Sequence, residues 1–543
     1  MSPTLLRRLL WVAAIASVLP LFAVEILPFT DVPEHLAVMA SIRNYWNPSH
    51  RIAEHYELAW NRSQYLLYHL LGAGLSVGVG VDYANRILLA AAGLAQPFAF
   101  ASLLAAFDRD ERLALFAVPL FWNRALVVGF LPFVASVPVL LFAIAEAVRY
   151  LKEPSRRRFA GLAALAVALF YLHASAFAVL ALVSVVLSVA FSAVHDNAPR
   201  TSRCAALQRS LALNLWLLPA AGLATLWWAL GRITLHGASL TEQGEVGHMS
   251  AFRSARAFSL WTHDVFRSHV DEACAFAYWV AFAALLVITM RREAPSRRTL
   301  VVMAPVLTTL ALYFVVPFRL GAAAMLNVRM APLLAFFAVL PLATSRSRGT
   351  TAALFGVFGV SLATSANAAV ELRALVHEEV AGVTALFERT TPGARIVTLP
   401  FASRSPRAHF PPFIHMGAYH RVVHGGVSGF SFSELPHWPL QFRREAAPPK
   451  KAATFWSLNP CVFRNADDGP YYDFALVKGA VDPFRDEPPG PVWRRVDSVK
   501  DFTLYAKVPE QTWPAWGTDD LGPCRSRSAA GQPTPSLEEQ SRE

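Results

Sequence analysis

The segment Thr30-Asp31-Val32-Pro33-Glu34-His35 sets two carboxylates and an imidazole side by side immediately after an apolar run. Ionisable groups at a bilayer edge can do water-side chemistry on a lipid-borne substrate without the full cost of burying charge in hydrocarbon. If a helix begins here, Glu34 and His35, three and four positions after Asp31, lie on its side of the helix. The group is then a compact acid and base set facing water. The same residues also fit a capping-box-like helix start, with Asp31 as N-cap, Glu34 three positions on and Pro33 in the first turn. A cap explains the two acids but not the histidine that joins them. Carboxylates and histidine also suit a divalent metal ion, so a metal site and metal-free base catalysis both stay open.

The elements that must position this cluster follow from composition. Of the 543 residues, 55% are hydrophobic and 16% charged, which is not a soluble average. The chain reads as a polytopic α-helical membrane protein. A net charge of +11 would ordinarily raise nucleic acid as a partner. The basic residues, however, sit in small clusters between apolar runs: Arg7 and Arg8; Arg149, Lys152, Arg156, Arg157 and Arg158; Arg200, Arg203 and Arg209; Arg291, Arg292, Arg297 and Arg298; Arg346 and Arg348. That is the positive-inside pattern, and no nucleic-acid partner is expected. The four cysteines are too few for a disulfide framework, and none has metal-ligand spacing. Cys461 and Cys524 both fall in the C-terminal part, where an oxidising compartment would let them pair; spacing alone decides nothing.

Placing each arginine cluster in the cytosol forces a topology. Leu9 to Phe29 runs outward as a retained first helix, longer than a signal-peptide core. Residues 30–82 form an outer loop, whose Gly-rich second half, Tyr65 to Val81, reads as a helix along the outer interface. Ile87 to Phe107 returns. Leu113 to Val148 is too long for one span at about 1.5 Å per residue and is interrupted by Asn123-Arg124, which predicts a helical hairpin. Phe159 to Val194 repeats that design around Tyr171-Leu172-His173. Leu211 to Leu230, Ala273 to Met290, Leu300 to Pro317, Met330 to Ala343 and Ala352 to Ala369 complete about eleven spans, with the N-terminus cytosolic. The expected organisation is a transmembrane domain over 1–370 that includes the outer loop 30–82, a small extracytoplasmic α/β domain over 371–524, and a disordered tail over 525–543. In the soluble part, Glu371 to Arg389 reads as helix, and Arg395 to Leu399, Tyr472 to Lys478 and Phe502 to Val508 read as strands.

A short cytosolic start, one membrane helix, an outer loop opening with an acidic motif, an interfacial helix and Val81-Asp82-Tyr83-Ala84-Asn85-Arg86-Ile87 entering the next span together resemble the GT-C superfamily of lipid-linked-sugar glycosyltransferases. Tyr65-Leu66-Leu67-Tyr68-His69-Leu70-Leu71 is similar to the interfacial helix of the mannosyl- and aminoarabinose-transferring branches. Asp31-Val32-Pro33-Glu34-His35-Leu36, Gly129-Phe130-Leu131 and Leu172-His173 resemble most a bacterial set with an Asp-x-Pro-x-His motif. The expected first outer loop, residues 30–82, lacks the adjacent Asp-Glu pair of the protein mannosyltransferases. The resemblance implies a plasma-membrane enzyme of inverting type. It would move a sugar from a polyprenyl-phosphate donor to an envelope acceptor on the outer face, with the C-terminal domain extracytoplasmic. It also implies that Asp31 is the general base, oriented or tuned by Glu34 or His35. A transporter or flippase, or a scaffold whose outer domain binds an envelope partner, remains the alternative.

Such a reaction needs cations to hold the leaving phosphate, and arginine forks match its oxygens. Arg86, Arg124, His173, Arg319 and Arg329 are all expected at outer ends of spans. Arg86 and Arg319 also fit helix anchors that snorkel, Arg124 an ordinary turn, and His173 a satisfied turn histidine; Arg329 enters an apolar run, where a buried partner is expected. His69 shares a helical face with Tyr65. Asn61-Arg62-Ser63 matches a glycosylation sequon, a short motif that recurs by chance. His415, Tyr419, His420 and His424 around Gly425-Gly426 offer a metal site as one reading, but their spacing matches no standard ligand set and a solvated loop is the preferred one. Trp438, between Pro436 and Pro439, reads as loop packing or as a carbohydrate-facing surface.

Overall fold

The computed structural model describes residues 2–508 other than 61–62, 196–202, 235–245, 293–296, 321–322, 346, 430, 436, 449–459, 464, 466, 481 and 485–491. The sequon, Cys524 and the expected tail therefore lie outside the described residues in whole or in part. Contacts divide the chain into two compact units, one of Met1–Ala23, Trp60–Tyr68 and Arg86–Glu371, the other of Val24–Ala59, His69–Asn85 and Leu372–Glu543. The segment 30–82, expected as a single outer loop, is divided between the two units, and most of it packs with the C-terminal part of the chain.

In the first unit, apolar helices dominate. Pro3–Phe22, Val81–Ala106, Leu131–Lys152, Ala174–Val194, His269–Arg292 and Arg348–Phe387 are long and apolar enough to cross a membrane, and Leu215–Leu230, Thr299–Val315 and Asn327–Val339 are shorter apolar helices. The first of these ends before the expected Phe29. Pro20, which cannot donate an N–H, turns its last residues into the 3-10 segment Leu19–Phe22. The expected hairpin over Leu113 to Val148 has only one spanning limb. Its first limb is two 3-10 segments, Glu111–Ala117 and Pro119–Phe121, followed by the short helix Arg124–Val128. Leu113 to Trp122 is buried throughout, and Trp122 Nε1 donates to the Ser17 carbonyl at 2.9 Å. Protein, not lipid, sheathes this broken backbone, the condition under which irregular chain is tolerated at membrane depth. The second hairpin is two helices, Arg156–Leu172 and Ala174–His195, turning at His173.

The second unit is built on a five-stranded sheet in the order Val427–Ser428, Arg395–Pro400, Phe474–Lys478, Phe502–Lys507, Trp493–Val499. Arg395–Pro400 runs parallel to both neighbours, Phe474–Lys478 and Val427–Ser428, and Phe502–Lys507 runs antiparallel to both of its own. Val397, Leu399, Phe463, Tyr472, Val477, Trp493 and Tyr505 form the core on it. Trp493–Val499 escapes the sequence reading because it is an edge strand whose Arg494 and Arg495 are exposed. Cys461 is disulfide-bonded.

The segment Val24–Ala59 is woven into this unit through backbone. Tyr56–Leu58 pairs antiparallel with Leu440–Phe442, Arg443 N donates to the His55 carbonyl at 2.9 Å, and Gly426 N donates to the His50 carbonyl at 2.8 Å. Gly425 and Gly426 have positive φ of 72° and 69°, and a Cβ on them would strike the carbonyls of His50 and Ala394. Only glycine fits that double approach. The neighbouring histidines form no solvated loop: His415, Tyr419 and His420 are buried. A helix, Leu66–Val79, forms where an interfacial one is expected, with Gly72 pressed on Met39 and Leu71, Leu75, Val77 and Val79 exposed.

His420 is fully buried between Thr390 Oγ1 (2.9 Å from Nδ1) and the Ala394 carbonyl (3.0 Å from Nε2), and burial pushes its pKa down from 6.5 to about 4. In that window the unfolded chain binds a proton that the folded chain refuses, so stability falls as pH drops from 6.5 towards 4. The expected loss is on the order of 3 kcal/mol. Melting curves against pH check it: His420→Asn should flatten the profile in this window, and an unchanged profile would count against the assignment.

Candidate active site

Asp31 occupies the N-cap position of the helix Val32–Arg43, and Pro33 sits in the first turn, where a missing N–H costs nothing. The capping box nevertheless does not form, since the Asp31 side chain makes no capping hydrogen bond. Its Oδ1 lies 3.3 Å from His415 Nε2, and the carboxylate keeps 13% exposure. Glu34 is fully buried and differently engaged. It pairs with Arg421 Nη1 at 3.2 Å and accepts from Ser428 Oγ at 3.3 Å and from Phe432 N at 3.1 Å. Arg421, equally buried, also donates to Ser431 Oγ at 2.8 Å, and its guanidinium stacks over Tyr56 at 5.0 Å. Three donors on a carboxylate closed to water make Glu34 a strut.

His35, expected to join Asp31, turns to His69 instead. His35 Nδ1 and His69 Nε2 are 3.0 Å apart with the rings stacked, so one nitrogen donates and the other accepts. Trp438 lies 5.1 Å from one ring and 4.9 Å from the other, and Phe432 lies 4.5 Å from Trp438. Trp438 is therefore buried packing and presents no open carbohydrate surface. Phe432 also meets His415 edge-to-face at 5.7 Å. The short motif thus presents three side chains to three different partners, and the partner of Asp31 was not identified from the sequence.

In the first unit, Arg329 is buried and lies 4.0 Å over the Phe130 ring. Phe130 follows Gly129, whose positive φ of 95° ends the helix Arg124–Val128. Arg124 is half-buried at the first position of that helix, which packs beside the 3-10 turn Asn327–Arg329. Burial raises the pKa of the Tyr65 hydroxyl, and Arg329 draws it back down, so the two groups are within electrostatic reach. Tyr65 stacks on His173 at 4.9 Å, Phe133 meets that ring edge-on at 5.3 Å, and His173 Nδ1 accepts from Ser175 N at 3.2 Å. Arg124, His173 and Arg329 therefore share one neighbourhood with Tyr65, a residue the sequence reading had joined to His69. Arg86 is buried with Nη1 on the Leu21 carbonyl at 2.5 Å, where it ties down the end of the first helix. Arg319 stands in a small sheet, in register with Gly247 and Ala324. Among the described residues, no group of three or more His, Cys, Asp or Glu side chains could hold a metal ion.

Breaking a buried ion pair by removing one partner costs about 3–5 kcal/mol, because the other charge is left stranded. Glu34→Ala should therefore lower the melting temperature sharply and expose 372–508 to limited proteolysis. A wild-type melting temperature would contradict the strut.

No family model and no curated protein sequence matches the chain. Solved structures do. ArnT from Cupriavidus metallidurans bound to undecaprenyl phosphate aligns with a TM-score of 0.56 at 10% identity, covering 95% of this chain and 100% of that one. The same protein in the apo state gives 0.52 at 11% identity, covering 92% and 96%. The arabinofuranosyltransferase AftD from Mycobacteria gives 0.49 at 16% identity, covering 97% of this chain and 43% of that one. On the two ArnT alignments, this chain has the fold of ArnT.

Proposed function

We propose that this protein is a membrane glycosyltransferase that moves a sugar from a polyprenyl-phosphate carrier to an acceptor hydroxyl on the outer face of the plasma membrane. The carrying observation is Asp31: a carboxylate at the start of a buried helix, relieved of capping and still open to water. In the reaction its carboxylate takes the acceptor's proton, the acceptor oxygen bonds to the anomeric carbon, and the bond to the phosphate breaks with its electron pair on the phosphate. A single displacement of this kind inverts the anomeric centre. Charge grows on the leaving phosphate, and Arg124 and Arg329, with Tyr65 and His173 beside them, are the groups suited to hold it. Arg86 and Arg319 remain candidates for the phosphate with weaker support, since each also has a structural seat. Glu34 and His35 act by holding the helix that carries the base.

Two further features support this reading. ArnT, whose fold this chain shares, was solved with undecaprenyl phosphate bound. A disulfide at Cys461 fits an oxidising compartment on the outer side, and the arginine clusters fit a cytosolic N-terminus.

The test is release of undecaprenyl phosphate from undecaprenyl-phosphate hexose and undecaprenyl-phosphate pentose by full-length protein in envelope-lipid proteoliposomes. Asp31→Asn should lower turnover about 10²–10⁴-fold. Arg329→Ala should lower it about 10²–10³-fold. Full turnover by Asp31→Asn would remove the base assignment, and lipid flipping without sugar transfer by the wild type would replace the enzyme with a transporter.

A further inference from the structure

We propose that His415 is a positioning residue for the Asp31 base, supplied by the C-terminal part of the chain; this rests on the reading of Asp31 as base. Among the described residues, His415 is the side chain that faces the Asp31 carboxylate, with Nε2 3.3 Å from Oδ1. An aspartate at an N-cap has a competing rotamer that accepts an N–H of the first turn; here that is the Glu34 amide, because Pro33 has no N–H and Val32 N donates to the Phe29 carbonyl. In that rotamer one oxygen is tied to the amide, the side chain points along the helix, and the carboxylate is a weaker base. The imidazole holds the side chain out of the cap, leaving Oδ2 for the acceptor hydroxyl.

His415 is itself held firmly. It is 7% exposed and precedes the 3-10 turn Met416–Ala418, and its carbonyl accepts from Ala418 N at 2.9 Å. The turn is pressed onto the strand Arg395–Pro400, since a Cβ on Gly417 would strike Thr398 Oγ1. The ring is set edge-to-face on Phe432, and Phe432 N is fixed by Glu34. Sheet, turn and strut therefore all converge on the imidazole. Acceptor proton to Oδ2, acceptor oxygen to the anomeric carbon and electron pair to the departing phosphate remain the chemical events; His415 exchanges no atom in them.

The experiment uses full-length protein in proteoliposomes and whichever donor, undecaprenyl-phosphate hexose or pentose, turns over. His415→Ala should lower kcat about 10²-fold, the usual effect of a misplaced catalytic group, with the donor KM unchanged. His415→Gln, whose amide N–H can reach the same oxygen, should recover most of that loss at a wild-type melting temperature. His415→Ala added to Asp31→Asn should produce no further loss. Wild-type kcat in His415→Ala, full additivity with Asp31→Asn, or a well-folded His415→Gln as slow as the alanine variant would overturn the proposal. Full turnover by Asp31→Asn alone would instead bring down the base reading beneath it.

Discussion

The buried ion pair between Glu34 and Arg421 is the constraint on which the candidate site depends. Two opposite charges closed to water persist only when geometry and extra hydrogen bonds offset their desolvation. Here Ser428 and the Phe432 amide supply bonds to the carboxylate and Ser431 accepts from Arg421 Nη1, while Nε and Nη2 of Arg421 are buried without a hydrogen-bond partner among the described residues. The pair joins residues 387 apart in sequence and fixes the start of the helix Val32–Arg43 against the segment that carries Phe432. That segment in turn packs on His415, His35 and Trp438. A pair of hydrophobic residues would join the same surfaces, but not with a directional set of bonds that specifies which face of the helix turns which way.

The division of labour within one short motif follows from this. Asp31, Glu34 and His35 are neighbours in sequence and similar in chemical type, yet one keeps contact with water, one is sealed in an ion pair and one is stacked in an aromatic and imidazole packet. The two sealed residues make the open one precise. In the other unit, the Arg329 guanidinium is flattened on Phe130, close to Tyr65 and to the helix that bears Arg124. Cation–π stacking of this kind fixes the direction in which the guanidinium points.

Much of the fold was legible in the sequence because its signals are local. Arginine clusters between apolar runs marked the helices, and β-branched and aromatic runs marked Arg395–Pro400, Phe474–Lys478 and Phe502–Lys507. The Asp31 cluster was visible for the same reason. The 3-10 limb from Glu111 was not, since an apolar run has the same composition whether it is a helix in lipid or broken chain inside protein. Nor were His415 and Arg421, because no spacing rule links residues so far apart. The run from His415 to Gly426 looked polar enough to be solvated, while its glycines are in fact demanded by the close approach of His50 and Ala394.

The central claim is that Glu34 is structural and Asp31 chemical. A double-mutant cycle on Glu34→Gln and Arg421→Met, read by melting temperature and by undecaprenyl phosphate release, tests it most directly. Each single substitution should destabilise, while the pair together should recover much of the stability and keep turnover, because no charge is left stranded and Asp31 is intact. A double variant that folds as well as the wild type yet transfers no sugar would contradict the account and place Glu34 in the chemistry.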